Sequence, residues 1–112
     1  MSMKKAVVYL TLLSDQQITD HQFKCLLGTA NDIQLDGLCE FIYNAISGRM
    51  HLDSGIEKLV KRNIKLLTVL TNRKQNSYRK RIQIIRKHIR VIGRIVKKLN
   101  PYIKKVLKKV SQ

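Results

Sequence analysis

Three histidines, two cysteines and seven carboxylates are the side chains of this 112-residue chain with which a metal could be held or a proton moved. Their spacing argues against both. His21, His51 and His88 fall on separate predicted elements. Neither Cys25 nor Cys39 belongs to a Cys-x-x-Cys, and neither reads as a ligand pair with a histidine. There is no His-Glu-x-x-His and no Gly-rich phosphate loop. Asp32 and Asp36 are the carboxylate pair to weigh as a metal site, but capping and surface roles account for them better. The expectation is a protein that is not an enzyme and uses no metal or other cofactor. Both cysteines fall on apolar helical faces and read as reduced core residues, with a disulfide between them as the alternative.

What remains is electrostatic chemistry, and it is concentrated in one half of the chain. The formal charge is +16. Residues 1–57 hold all seven acids, Asp15, Asp20, Asp32, Asp36, Glu40, Asp53 and Glu57, with four bases, Lys4, Lys5, Lys24 and Arg49. Residues 58–112 hold the other nineteen bases and no acid. A solvated helix face normally mixes signs to limit self-repulsion. Fifty-five residues without a carboxylate imply a counter-charge from outside the chain. The candidate nucleic-acid-binding residues are therefore Lys58, Lys61, Arg62, Lys65, Arg73, Lys74, Arg79, Lys80, Arg81, Arg86, Lys87, Arg90, Arg94, Lys97, Lys98, Lys104, Lys105, Lys108 and Lys109.

The elements that must position these cations read as helices. Aromatic residues are 5% of the chain and Trp is absent, so the core has to be aliphatic. The apolar run Ala6–Leu13 reads as a short helix or strand of the core; no small-x-small cleavage site follows it before Asp15. Thr19-Asp20-His21-Gln22 matches a capping box, and Gly28 closes that helix. Asn31-Asp32-Ile33-Gln34 opens the next, which carries Leu35, Leu38, Cys39, Ile42 and Ile46 and stops at Gly48. Ser54-Gly55-Ile56-Glu57 reads as a third capping box, with Ile56, Leu59, Val60, Ile64, Leu67 and Leu70 as one apolar stripe behind it. After a polar break at Asn72–Asn76, Ser77 caps the longest helix, roughly 78–99. Pro101 suits the first turn of a last helix with Ile103, Val106, Leu107 and Val110 on one side. The fold class is all-α, with five or six helices and a long C-terminal basic amphipathic helix. Residues 1–57 form a weakly acidic platform and residues 58–112 a basic region, within one continuous small domain. No apolar run approaches the ~18 residues of a membrane span.

On the long helix Ile82, Ile85, Ile89, Ile92, Val96 and Leu99 repeat at intervals of 3 and 4, with Arg79, Arg86, Arg90, Arg94 and Lys97 on the other side. Such a seam either buries on the domain or joins copies of the chain, Ile at both heptad core positions favouring trimers or tetramers. On the helix opened by Asn31, Asp32, Asp36 and Glu40 form an acidic stripe at i, i+4 and i+8. That stripe would repel phosphates, which rejects a helix-turn-helix around Gly28. It suits docking of a basic helix, in the same chain or a neighbour, or simple solvation.

The stretch from Ala30 to Gly48, the Lys-rich helix with Leu59, Lys61, Leu66 and Leu70, and Ser77 ahead of a basic run resemble the small basic proteins of Polinton/Maverick transposons and adintovirus-like elements. Those proteins show a Leu-Cys-Glu-x-x-x-Asn-x-Leu-x-Gly block. Leu38, Cys39, Glu40, Asn44 and Gly48 match it, with Ile46 in place of the second Leu. The resemblance spans about Leu10 to about Lys98. It implies a genome-associated core protein of a virus-like element, found in the virion or the host nucleus. Many of those proteins end in a Gly-Gly-Phe-rich tail, whereas this chain continues as a second cationic helix to Gln112, so nothing tied to that tail carries over.

The expected function is sequence-nonspecific DNA binding that condenses or packages a genome. RNA is the alternative nucleic acid, though stacking aromatics are scarce among the cations. The rival readings are a cationic amphipathic protein on a membrane surface, with Tyr78 and Tyr102 as interfacial anchors, and a scaffold that binds a capsid or other acidic protein. A homo-oligomer through the isoleucine seam completes the expected partners.

Overall fold

The computed structural model describes the backbone of residues 2–72 and 74–110 and the side chains of residues 6–72 and 74–109. Within them the chain forms eight helices and no strand: α1 (Ser2–Leu13), α2 (Asp20–Gly28), α3 (Asp32–Ile46), α4 (Ser54–Arg62), α5 (Ile64–Thr71), α6 (Tyr78–Lys87), α7 (Ile89–Lys98) and α8 (Asn100–Val110).

The apolar spacing of each helix decides what it buries. On α1, Ala6, Val7, Leu10 and Leu13 are sealed against α3, whose Leu35, Leu38 and Ile42 face them from the interior. Full burial of a Val, Leu or Ile side chain contributes about 1.5–3 kcal/mol, so this contact anchors the fold. α8 lies on α1, and α5 lies on α3. α7 crosses α2 and α4, and α6 meets α2 and α5. The basic helices are thus wrapped around the α1–α3 pair, and one cluster of buried side chains runs from Ala6 to Ile103.

Start signals govern the helix ends. Thr19 and Asn31 form complete capping boxes with Gln22 and Gln34. Ser77 accepts a hydrogen bond from the Lys80 N–H at 3.3 Å. The cap of α4 lies one residue earlier than Ser54, because the Asp53 carboxylate accepts from the Ile56 N–H at 3.0 Å. α3 ends at Ile46, and Gly48 supplies the turn with φ of 79°. Buried polar groups tie distant ends together. Asn100 Nδ2 donates to Ser14 Oγ at 2.9 Å. The Tyr9 hydroxyl donates to the Leu26 carbonyl at 2.6 Å, and burial pushes that hydroxyl's pKa well above its ordinary value.

The expected five or six helices are eight because two predicted helices break. The stripe from Ile56 to Leu70 bends at Asn63, where the side-chain amide donates to the Leu59 carbonyl at 2.9 Å and competes for a helix acceptor. The break turns Ile64 outward to 39% exposure. The long C-terminal helix breaks at His88, whose φ of −118° and ψ of 36° leave the helical region. A straight helix over 78–99 would run ~33 Å at 1.5 Å per residue, about the full 34 Å length of the molecule. Bent at His88, its two halves both reach the core: Ile82, Ile85, Ile92, Ile95 and Val96 are buried, while Ile89 beside the bend is half-buried. The isoleucine seam thus faces the chain's own interior.

No disulfide joins the two cysteines: Cys39 is buried, whereas Cys25 is exposed and so is no core residue. None of the helices formed by the described residues is long and apolar enough to cross a membrane.

Candidate nucleic-acid interface

The burial of each apolar stripe turns the opposite face of the same helix outward, and that face is where the cations stand. Lys58, Lys61 and Arg62 on α4, and Lys65 on α5, are exposed. So are Lys74 in the α5–α6 turn, Arg79, Lys80, Arg86 and Lys87 on α6, and Lys104, Lys105, Lys108 and Lys109 on α8. On α7, Arg90, Arg94 and Lys98 are exposed and Lys97 is half-buried. Arg73 lies outside the described residues. Two of the exposed lysines have intramolecular neighbours. Lys61 Nζ is 2.7 Å from Glu57, and Lys105 Nζ lies 5.6 Å from the centre of the Tyr102 ring. The Lys61 contact lowers the Glu57 pKa, first through the hydrogen bond and then through its charge.

Arg81 has to be withdrawn from the phosphate-facing set. It is 6% exposed, and its Nη1 donates to Asp36 Oδ1 on α3 at 2.9 Å. Burial alone would lower its pKa; the hydrogen bond to Asp36 and the interactions with Cys39 outweigh that and raise it. Its Nε is buried with no hydrogen-bond partner among the described residues. The physical reason is position: Arg81 precedes Ile82 and stands one turn before Ile85, on the face that packs inward. The acidic stripe therefore docks a basic helix of the same chain through Asp36.

Along α7 four of the cations share one concave surface. Arg90, Arg94, Lys97 and Lys98 line one wall of an open cleft of about 320 Å³, and Gln16 and Asp20 line the other. The loop that carries Gln16 is pinned there, since its Nε2 donates to the Lys97 carbonyl at 2.8 Å. Lys97 and Lys98 also border a second cleft of about 380 Å³ with Gln16, Asp53, Ile56 and Leu59. Gln16 and Asp20 were absent from the sequence-predicted site. The Gln16 contact spans 81 residues, and no local pattern announces it.

The other concave surfaces carry few of the predicted cations. A cleft of about 520 Å³ between α1 and α2 is lined by Leu12, Asp15, Gln17, Ile18, Gln22, Cys25 and Leu26. Beside it His21 Nε2 and Cys25 Sγ stand 3.7 Å apart, a His–Cys pair whose signal in the sequence is the i, i+4 spacing on α2. Among the described residues no group of three or more His, Cys, Asp or Glu side chains gathers at a metal-binding distance. Comparison of the chain with known protein families, with curated proteins and with solved structures found no match.

Proposed function

We propose that this chain is a non-enzymatic, sequence-nonspecific DNA-binding protein that condenses or packages a genome. On the resemblance to the Polinton/Maverick and adintovirus-like basic proteins, that genome belongs to a virus-like element and the protein acts in the virion or the host nucleus. The observation that carries the reading is the run of exposed cations from Lys58 to Lys109 over five consecutive helices, with no carboxylate in that segment to answer them. Their charge needs a counter-ion lattice, and a phosphate backbone supplies one at any sequence. The aliphatic stripes keep the helices folded on α1–α3, so the cations are held in place before the DNA arrives.

The tyrosines favour DNA over a membrane surface. The Tyr78 hydroxyl donates to the Ala30 carbonyl, and the Tyr102 hydroxyl accepts from the Asp53 N–H at 3.1 Å. Both rings are half-buried, tied into the fold rather than presented as interfacial anchors. The test is a titration of the full chain with a mixed-sequence duplex at several salt concentrations. Log affinity should fall linearly with log salt, by about 0.9 for each phosphate contacted. A slope near zero would defeat the proposal.

A further inference from the structure

We infer that the cleft between α7 and the Gln16–Asp20 segment is a seat for a phosphate group, the point where the nucleic-acid backbone is held rather than only attracted. The inference rests on the DNA-binding reading and makes it local. The four lysines of α8, Lys104, Lys105, Lys108 and Lys109, line none of the clefts described above. In the α7 cleft four other cations, Arg90, Arg94, Lys97 and Lys98, share one concavity. Their spacing along α7 puts Arg90, Arg94 and Lys98 on successive turns, ~6 Å apart along the axis. Two guanidinium groups provide the planar forks that match phosphate oxygens.

The opposite wall gives the cleft its geometry. Gln16 is held by its hydrogen bond to the Lys97 carbonyl, and a side-chain amide carries a second N–H that this bond does not use. The same bond closes the last turn of α7, so wall and floor are fixed to one another. Asp20 is the one carboxylate of the lining, set against the four cations. It competes with an incoming anion for the same charges and sets how tightly a phosphate is held. This leads to an expectation that a uniformly basic surface does not share: removing the Asp20 charge should tighten binding at the cleft in particular.

The experiment uses the full chain and two probes. Inorganic pyrophosphate is titrated while backbone amide shifts are followed, and a mixed-sequence duplex is titrated by anisotropy. In the wild type, pyrophosphate should give saturable shifts concentrated at Gln16–Asp20 and Arg90–Lys98. Asp20→Asn should tighten pyrophosphate at least threefold, and Arg94→Gln should weaken it at least tenfold. On duplex DNA, Arg94→Gln with Lys98→Gln should lose at least fivefold more affinity than Lys104→Gln with Lys108→Gln, which removes the same charge from α8. Linear shifts spread evenly over α4, α6, α7 and α8 would overturn the seat, as would equal DNA losses from the two pairs. Asp20→Asn stays informative if an arginine variant folds poorly, because it predicts a gain. Failure of the DNA reading looks different: the wild type then retards no duplex at any salt.

Discussion

α6 and α7 are two ten-residue helices that follow one another with a single residue between them, and both carry isoleucines on one side and cations on the other. Eleven residues separate equivalent positions, close to three full turns, so the two can be laid side by side. Ile85 matches Val96 and Ile84 matches Ile95; of these four only Ile84 is not buried. Arg79 matches Arg90, and Lys87 matches Lys98, all four exposed. One difference between them concerns a charge in the core. Where α7 buries Ile92, α6 buries Arg81. A charge at a core-facing position is tolerated because Asp36 on α3 stands 2.9 Å away. An identical side-chain type thus takes opposite positions within one segment: Arg81 is buried against Asp36, while Arg94 is exposed in the α7 cleft.

The largest effect should come from breaking that distinction at Arg81. Arg81→Met takes the Arg81 guanidinium away from Asp36, whose side chain is 20% exposed. Removing one member of a buried pair costs about 3–5 kcal/mol, and the partial exposure of Asp36 points to the lower end. Urea unfolding should therefore show a loss of about 3 kcal/mol. The double variant Arg81→Met, Asp36→Leu should recover most of it, since a matched apolar pair avoids the desolvated charge. A single variant as stable as the wild type would mean that the pair is incidental.

Arg94 should behave in the reverse manner. Arg94→Gln with Lys98→Gln should leave stability within about 0.5 kcal/mol, as exposed substitutions usually do. Duplex affinity should fall about tenfold, ~1.4 kcal/mol, and the salt slope should shrink by about 1.8, or 0.9 for each lost contact. Arg81→Met protein that remains folded should keep the wild-type slope. Equal slope changes from the two substitutions would erase the contrast between the helices.

Much of this architecture could be read from the sequence, and the places where it could not have a common cause. Thr19, Asn31 and Ser77 announce helix starts because a cap is a local exchange between a side chain and an N–H three residues on. The stripes of α3 and α7 are legible because burial follows the helical period. The breaks at Asn63 and His88 are not, since the period gives the face of a helix and says nothing about the axis. A small core of two central helices forces the axis to bend. Arg81 was misplaced for a related reason: residue type suggested an outward face, while its position between the isoleucines pointed inward, and only the distant Asp36 decides between them. Gln16 reaches the α7 cleft through a contact across 81 residues that no spacing rule contains, and Asp20 lines the same cleft.

The helix starts offer a smaller test of the same comparison. α6 has a side-chain cap from Ser77, whereas α7 begins at His88 with none. Ser77→Ala should cost about 1 kcal/mol in urea unfolding, the usual loss of such a cap. α7 has no equivalent side-chain cap to lose: His88 makes none, its own N–H is held by the Ile84 and Ile85 carbonyls of α6, and the first bond of α7 runs from the Ile92 N–H to the His88 carbonyl at 3.0 Å. If removing the Ser77 hydroxyl had no effect, α6 would owe its start to packing alone.

The smallest effect should come from a second buried position at which the helices differ. Where α6 buries Ile82, α7 has Gly93, in the interior of the helix. A glycine there costs about 0.5–1 kcal/mol relative to alanine through backbone entropy. No close approach requires it, as a Cβ at position 93 would meet no heavy atom within 4 Å among the described residues. Gly93→Ala should therefore raise stability by about 0.5–1 kcal/mol, seen as a higher urea midpoint at unchanged slope. It should leave the cleft cations where they are, so pyrophosphate and duplex affinities should stay within twofold of the wild type. A gain in stability with a loss of DNA affinity would show instead that α7 has to flex at Gly93 to bring Arg90 and Arg94 onto one phosphate strand.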